Sequence, residues 1–239
     1  MIPRTIHYCW FGQGEMPEMA KNCIASWHKH MPHWKYRLWN ENNFDVNQVP
    51  YTKEAYEAGK YAFVSDYVRL WALYNEGGLY LDTDVEVFKP FDDLMAYSAF
   101  GGFEGSKHIP LGTCVMASGA NGIWVKEQLE NYKNRHFLNS DGSFDLTTNV
   151  QFISAKMREQ GFVQNGEEQD YKDFHVFPVE YFCPRQTTGE YIRTDKTYCD
   201  HLGMASWMGK ARGWKYVVGR MAGPEIMPFL IRIKRILFG

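Results

Sequence analysis

The amino-terminal part of the chain alternates short strand-like runs with helical ones, and that order restricts the fold more than any other feature. "RTIHYCWFG" predicts a first strand that ends in a loop at Gly12 and Gly14. "PEMAKNCIASWHKHMP" predicts a helix that begins at Pro17 and stops before Pro32. "WKYRLWN" predicts a second strand, and a helical run from about Thr52 to Glu76 ends at Gly77 and Gly78. "GGLYLDTDVEVF", residues 77–88, then predicts a third strand. Strand, helix, strand, helix, strand is the pattern of an α/β sheet with mostly parallel strands. Such sheets bind ligands beyond the carboxyl ends of their strands, where Asp84 and Glu86 would lie. Further strands are expected over 97–120, mostly helix over 121–161, and short strands among loops over 162–209.

The third strand poses a chemical problem. Side chains alternate faces along a strand, so Leu79, Leu81, Val85 and Val87 fall on one side. Tyr80, Asp82, Asp84, Glu86 and Phe88 fall on the other. Carboxylates spaced this way stand about 7 Å apart, and each adjacent pair repels by roughly 2 kcal/mol at an effective dielectric of 20. Water, basic side chains or a cation must offset that cost. An exposed edge strand would do so with water alone. Asp82 and Asp84 also offer hard oxygen ligands suited to Mg²⁺ or Mn²⁺ shared with substrate phosphates. A third reading, the nucleophile strand of a haloacid-dehalogenase-like phosphohydrolase, matches only superficially, because Glu86 stands where Thr or Val is expected.

The helix before this strand, "KYAFVSDYVRLWALYNEGG", is apolar almost all round, as a buried helix is. Ser65, Asp66, Arg69 and Glu76 nevertheless share about 100° of its circumference with Ala62 and Ala72. That narrow polar stripe flanked by small residues leaves room for a ligand along the helix. An Asp66–Arg69 pair at i, i+3 is the structural alternative, and burial makes it uncomfortable without further partners.

Three segments, "IPRTIHYCWFG", "YAFVSDYVRLWALYNEGGLYLDTDVEVFKPFDDLM" and "TYCDHLGMASW", together resemble the family 32 glycosyltransferases with a DXD-containing sugar-binding region, above all the bacterial capsule and surface-polysaccharide branch. The resemblance implies one GT-A domain over residues 1–209, built on an α/β sheet that is mostly parallel. It implies a divalent metal, Mn²⁺ or Mg²⁺, and a nucleotide-sugar donor, a UDP-sugar ahead of a GDP-sugar. Trp10 matches the aromatic that stacks on the donor base, and Asp66 and Arg69 match residues that hold the donor. Asp82 would approach the ribose and metal-bound water, and Asp84 would bind the cation directly. His201 matches a metal or diphosphate contact, and Ser206 and Trp207 a loop that closes over the donor, although Leu202 and Gly203 depart from the usual His-His-aromatic start of that motif. Transfer with retention to a hydroxyl of a glycan or lipid-linked acceptor in surface polysaccharide synthesis is the implied reaction. A non-catalytic nucleotide-sugar-binding relative is the alternative outside enzymology.

Other features narrow the setting. Five scattered cysteines without a CxxC pair argue against a disulfide framework or a zinc site and for a reducing compartment. No signal peptide and no apolar run of about 20 residues is visible, so a cytoplasmic location is expected. Residues 210–239 carry seven Lys/Arg and one Glu, a charge of +6, against −8 for the rest. An acidic body argues against nucleic acid as a partner. "FLIRIKRILF" places apolar and basic residues on different helical faces, which fits peripheral attachment of 226–239 to anionic membrane at the inner face. Packing on the domain explains the same pattern. His28, His30 and His33 straddle a helix end and read as a solvated face. Thr147 and Asn149 in "TTNVQF" could touch sugar or cap a helix, and Glu104 could line the acceptor side.

Overall fold

The computed structural model describes residues 1–105, 110–185 and 190–203. In chain order the elements are β1 (Thr5–Cys9), α1 (Glu18–His30), β2 (Lys35–Trp39), α2 (Pro50–Glu57), α3 (Tyr61–Glu76), β3 (Gly78–Leu81) and β4 (Val85–Val87). They continue with β5 (Ala99–Phe103), β6 (Leu111–Ser118), α4 (Ile123–Tyr132), α5 (Asn149–Glu159), β7 (Gln169–Tyr171), β8 (Phe174–Phe177) and β9 (Cys199–His201). The main sheet has the order β2-β1-β3-β6-β5-β8-β7. Its β1–β2, β1–β3 and β5–β8 pairings are parallel, whereas β3–β6, β5–β6 and β7–β8 are antiparallel. Five strands thus point one way, and β6 and β7 run against them.

Apolar clusters cover both faces of this sheet. One joins Tyr80 and Met116 to Val64, Val68, Trp124 and Ile153 from α3, α4 and α5. The other joins Leu79, Leu81 and Val115 to Trp27 of α1 and Val85 and Val87 of β4. Tyr80 enters one cluster and Leu79 and Leu81 the other, as alternate side chains of a strand do, and the unbroken burial of β3 is that of a strand covered on both faces.

Two expectations are corrected. The helical run from Thr52 to Glu76 is two helices, because Gly59 adopts φ +67° and Lys60 N–H turns back to the carbonyl of Ala55. The segment 77–88 is not one strand. β3 stops at Leu81, the chain turns through Asp82–Asp84 with Val85 N–H donating to the carbonyl of Asp82, and β4 joins a separate two-stranded sheet with β9. The turn removes the single acidic face: Asp84 is buried, and Glu86 is exposed.

At Gly78, φ is +128°, and a Cβ would stand 2.5 Å from the carbonyl oxygen of Thr5 and 2.9 Å from Nε2 of His7. Only glycine admits that approach. His7 itself is fully buried, with Nε2 2.7 Å from the Gly77 carbonyl and Nδ1 accepting from the Trp39 indole at 3.1 Å. This pairing requires the neutral tautomer with the proton on Nε2, and burial lowers its pKa below the ordinary 6.5. The junction between α3 and β3 is therefore locked to β1 and β2 immediately behind the turn that carries the two aspartates.

Candidate active site

The carboxyl ends of β1 and β3 open into a cleft of about 700 Å³, within the usual size range of small-molecule sites. Its walls come from the loop after β1 (Trp10, Gly12), the first turns of α3 (Tyr61, Ser65, Asp66, Arg69), the Asp82–Asp84 turn, Thr113 and Cys114 of β6, Asn149 at the start of α5, and His201 of β9.

Arg69 organises the floor. Its Nε donates to the Ser65 carbonyl at 3.1 Å, and one terminal nitrogen donates to the Thr113 carbonyl at 2.9 Å. The other stands 3.0 Å from Asp66 and 3.3 Å from Asp82. The guanidinium also lies over the Tyr80 ring at 4.8 Å, and the Tyr80 hydroxyl donates to Asp82 at 2.8 Å. A buried carboxylate, Asp66, and a half-buried one, Asp82, therefore share one cation. Burial raises the pKa of both: Asp66 rises from 3.8 to about 7 despite Arg69, and Asp82 rises as well. Burial opposes the charge on Arg69, but Asp82, Tyr80 and Asp66 more than restore it and push its pKa well above the ordinary value. The opposite fortunes of the partners follow from stoichiometry, since one guanidinium cannot fully compensate two acids.

Asp84 faces His201 instead. β4 and β9 pair Val85 with His201, and Leu202 N–H donates to the Asp84 carbonyl at 2.9 Å. Nε2 of His201 thereby stands 3.4 Å from Asp84, and Nδ1 stands 3.2 Å from Glu104. Burial disfavours an imidazolium here, but Cys114, Asp84 and Glu104 outweigh it and hold its pKa well above 6.5. Ligand atoms of Asp82, Asp84 and His201 lie within 4.8 Å of one another. Two carboxylates and an imidazole suit Mn²⁺ or Mg²⁺ with waters or phosphates completing the shell, so the donor set fits a divalent cation.

The structure brings Trp10, Asp66, Arg69, Asp82, Asp84 and His201 into one cleft. Trp10 is half-buried, with its indole N–H fixed to the Gly14 carbonyl at 2.6 Å. Gly12, at φ +92°, lets the Tyr61 ring lie where a Cβ would stand 2.2 Å away. Ser206 and Trp207 lie outside the described residues, as does the segment 210–239. Of the helical stripe, Ala62, Ser65, Asp66 and Arg69 reach the cleft. Glu76 instead pairs with Arg37 at 3.7 Å and Ala72 is in the core, because a stripe crosses the rim of a cleft that ends at the strand termini. Thr148, not Thr147, caps α5 in a capping box with Gln151. Asn149 lines the cleft with Oδ1 accepting from Tyr132 and a buried Nδ2 that lacks a protein partner. His28 and His33 are exposed, His30 is half-buried, and His28 stacks on Tyr36. Thr113 and Cys114 escaped sequence reasoning, since only the β3–β6 register places β6 beside the aspartates.

Residues 17–101 match the family described as "Glycosyltransferase sugar-binding region containing DXD motif". The chain is 33% identical over 107 residues to inositol phosphoceramide mannosyltransferase 3 of Schizosaccharomyces pombe, covering 41% of this chain and 29% of that protein. It is 34% identical over 94 residues to glucan organizing enzyme 1 of Cryptococcus neoformans var. grubii, covering 36% and 26% respectively. The chain thus spans less than a third of the length of these curated relatives. The solved structure titled "PaToxG Glycosyltransferase" superposes with a TM-score of 0.50 at 16% identity, covering 67% of this chain and 70% of that one, a likeness of fold. The fold is GT-A.

Proposed function

We propose that the protein is a metal-dependent glycosyltransferase that moves a sugar from a nucleotide-sugar to a hydroxyl of a glycan or lipid-linked acceptor. The observation that carries this reading is the joining of two polar groups in one cleft: the Asp66–Arg69–Asp82–Tyr80 cluster and the Asp84–His201 pair. Asp84 and His201 would hold the cation, with Asp82 at its margin because Arg69 and Tyr80 already engage its oxygens. When bound, the cation supplies Lewis-acid neutralisation of a departing nucleotide diphosphate.

The chain's own residues supply the rest. Arg69 is preorganised by four carbonyl and carboxylate partners, so it presents fixed positive charge to the diphosphate side without reorganisation. Trp10, tethered at the cleft wall, offers its ring face to a base. Asn149 directs a buried amide donor toward sugar hydroxyls. Transfer proceeds with retention, the acceptor hydroxyl attacking the face that the diphosphate leaves. UDP-sugar is the proposed donor, and surface polysaccharide the proposed product, both on the resemblance to bacterial members. Ser206 and Trp207 would close the donor site. Residues 1–209 would form the catalytic domain, and 226–239 would attach it to anionic membrane at the inner, cytoplasmic face. No described helix is long and apolar enough to cross a membrane.

The test is thermal stability of wild type and Asp84→Ala with UDP, GDP and other nucleotides, each with and without Mn²⁺ or Mg²⁺. Ligand binding to the folded state raises apparent stability in proportion to log concentration over Kd. A metal-dependent shift with UDP that Asp84→Ala abolishes is expected. No shift with any nucleotide in folded protein refutes the reading, and a shift with GDP alone reassigns the base. Co-sedimentation with anionic liposomes that survives deletion of 226–239 refutes membrane attachment through the tail.

A further inference from the structure

Behind the Asp84–His201 pair lies a second cluster, whose thiols the proposed reaction does not use. Cys114 of β6 and Cys183 are both buried, and their sulfurs are 3.4 Å apart. With Glu104 and His201 they place one ligand atom each within 4.8 Å of one another. The spacing discriminates between chemistries. A disulfide requires a separation of about 2.05 Å. Two thiolates on one tetrahedral zinc, with bonds of about 2.3 Å, stand about 3.8 Å apart, and nitrogen and oxygen ligands at about 2.1 Å stand about 3.4 Å apart. The observed sulfur pair at 3.4 Å and the Nδ1–Glu104 pair at 3.2 Å approach both edges of that tetrahedron. Cys114 and Cys183 are far apart in sequence and in no CxxC pair, so the chain order hides the site and only the fold assembles it.

We propose that Cys114, Cys183, Glu104 and Nδ1 of His201 form a second metal site, selective for a thiophilic divalent cation such as Zn²⁺, which competes with the Asp82–Asp84 site for His201. Thiolate ligands favour such a cation over Mn²⁺ or Mg²⁺. Loading it releases two thiol protons and the Nδ1 proton of the His201 imidazolium to solvent and leaves Glu104 as carboxylate. The competition follows from imidazole chemistry. A neutral ring has one nitrogen lone pair, so metal on Nδ1 leaves the proton on Nε2. Nε2 then faces Asp84 as a donor and can no longer ligate a second cation. The binding half of the proposal stands on this geometry alone, and the competitive half rests on the role proposed above for Asp84 and His201.

The test is titration of Co²⁺ into reduced, metal-free protein, read by the near-ultraviolet thiolate-to-cobalt charge-transfer band. One Co²⁺ per chain, a band displaced by Zn²⁺, loss of that band in Cys183→Ser and its persistence in Asp84→Ala are expected. Absence of a band in the reduced wild type overturns the site without recourse to any variant. A full band in folded Cys183→Ser overturns the ligand assignment. Mn²⁺ affinity, read from the free-ion paramagnetic resonance signal, is expected to fall on zinc loading by more than the ~10–100-fold typical of an outer-shell change, because the ligand itself is withdrawn. Equal Mn²⁺ affinity overturns the competition. Failure of zinc-free protein to bind Mn²⁺ overturns the competition and the hard-cation reading together, while the cobalt spectrum still judges the thiolate site.

Discussion

Asp66→Asn is expected to stabilise the protein in mild alkali and to give no such gain in acid. Asp66 and Asp82 share the one Arg69 guanidinium, and burial raises Asp66 from 3.8 to about 7. The folded state therefore binds more protons than the unfolded chain between those values, and stability falls as pH rises through that window. The rise costs about 4 kcal/mol above pH 7, at 1.36 kcal/mol per pH unit. An isosteric amide removes that cost but gives up a charged hydrogen bond to Arg69 worth about 1.5–3 kcal/mol. The net gain at pH 8.5 is about 1–2 kcal/mol, or several degrees in Tm for a chain of this size. At pH 4.5, where the folded carboxyl is already protonated, the substitution is neutral or mildly destabilising. Thermal melts of both proteins across pH 4.5–8.5 test this. An Asp66→Asn protein destabilised equally at both ends refutes the shared-cation argument, because it would mean that Asp66 is ionised and fully compensated. Nucleotide binding is expected to weaken in the same variant, the common exchange of site function for stability.

Three further outcomes follow from the same geometry. Asp84→Ala keeps the fold but lowers Mn²⁺ affinity by more than the ~10–100-fold typical of an outer-shell change, measured by calorimetry, and abolishes transfer. Gly78→Ala destabilises by at least about 2 kcal/mol in denaturant melts, because its Cβ would meet the Thr5 carbonyl at 2.5 Å at a φ of +128°. His7, whose pKa burial depresses, contributes stability that is full above pH 6.5 and lost as pH falls below it. Replacement by Gln, which retains an amide donor for the Gly77 carbonyl, is expected to flatten that acid limb in pH-dependent melts.

The order of strands and helices was readable because each early element carries its own local signal: Pro17 before α1, the Gly77–Gly78 stop after α3, and apolar runs in β1 and β3. Asp66 and Arg69 could be singled out because polar residues are conspicuous on an apolar helix. Period alone could not find the turn at Asp82–Asp84, since alternation continues through it and only pairing with β9 ends the strand. Nor could it place Glu104 or Cys114. Glu104 reaches Nδ1 of His201 only after β5 has crossed the sheet beside β6, a matter of tertiary register. The five cysteines are all buried and in no disulfide, but their scattered spacing hid the contact between Cys114 and Cys183.

The β4–β9 pairing also sets the order in which the protein can come to life. During synthesis Asp82 and Asp84 emerge with the central strands, whereas His201 emerges only after the whole length of chain between Asp84 and His201. A nascent chain thus has the arginine and aspartates of its cleft long before the imidazole opposite them. A cut between β8 and β9 would leave the main sheet complete and would leave β9, and with it His201, held over the Asp82–Asp84 turn by the β4–β9 pairing without its covalent tether to the main sheet. Cleaved protein that sheds β9 would retain its bulk secondary structure while losing His201 from the cation site, so circular dichroism is a poor measure of an intact preparation and metal stoichiometry a good one.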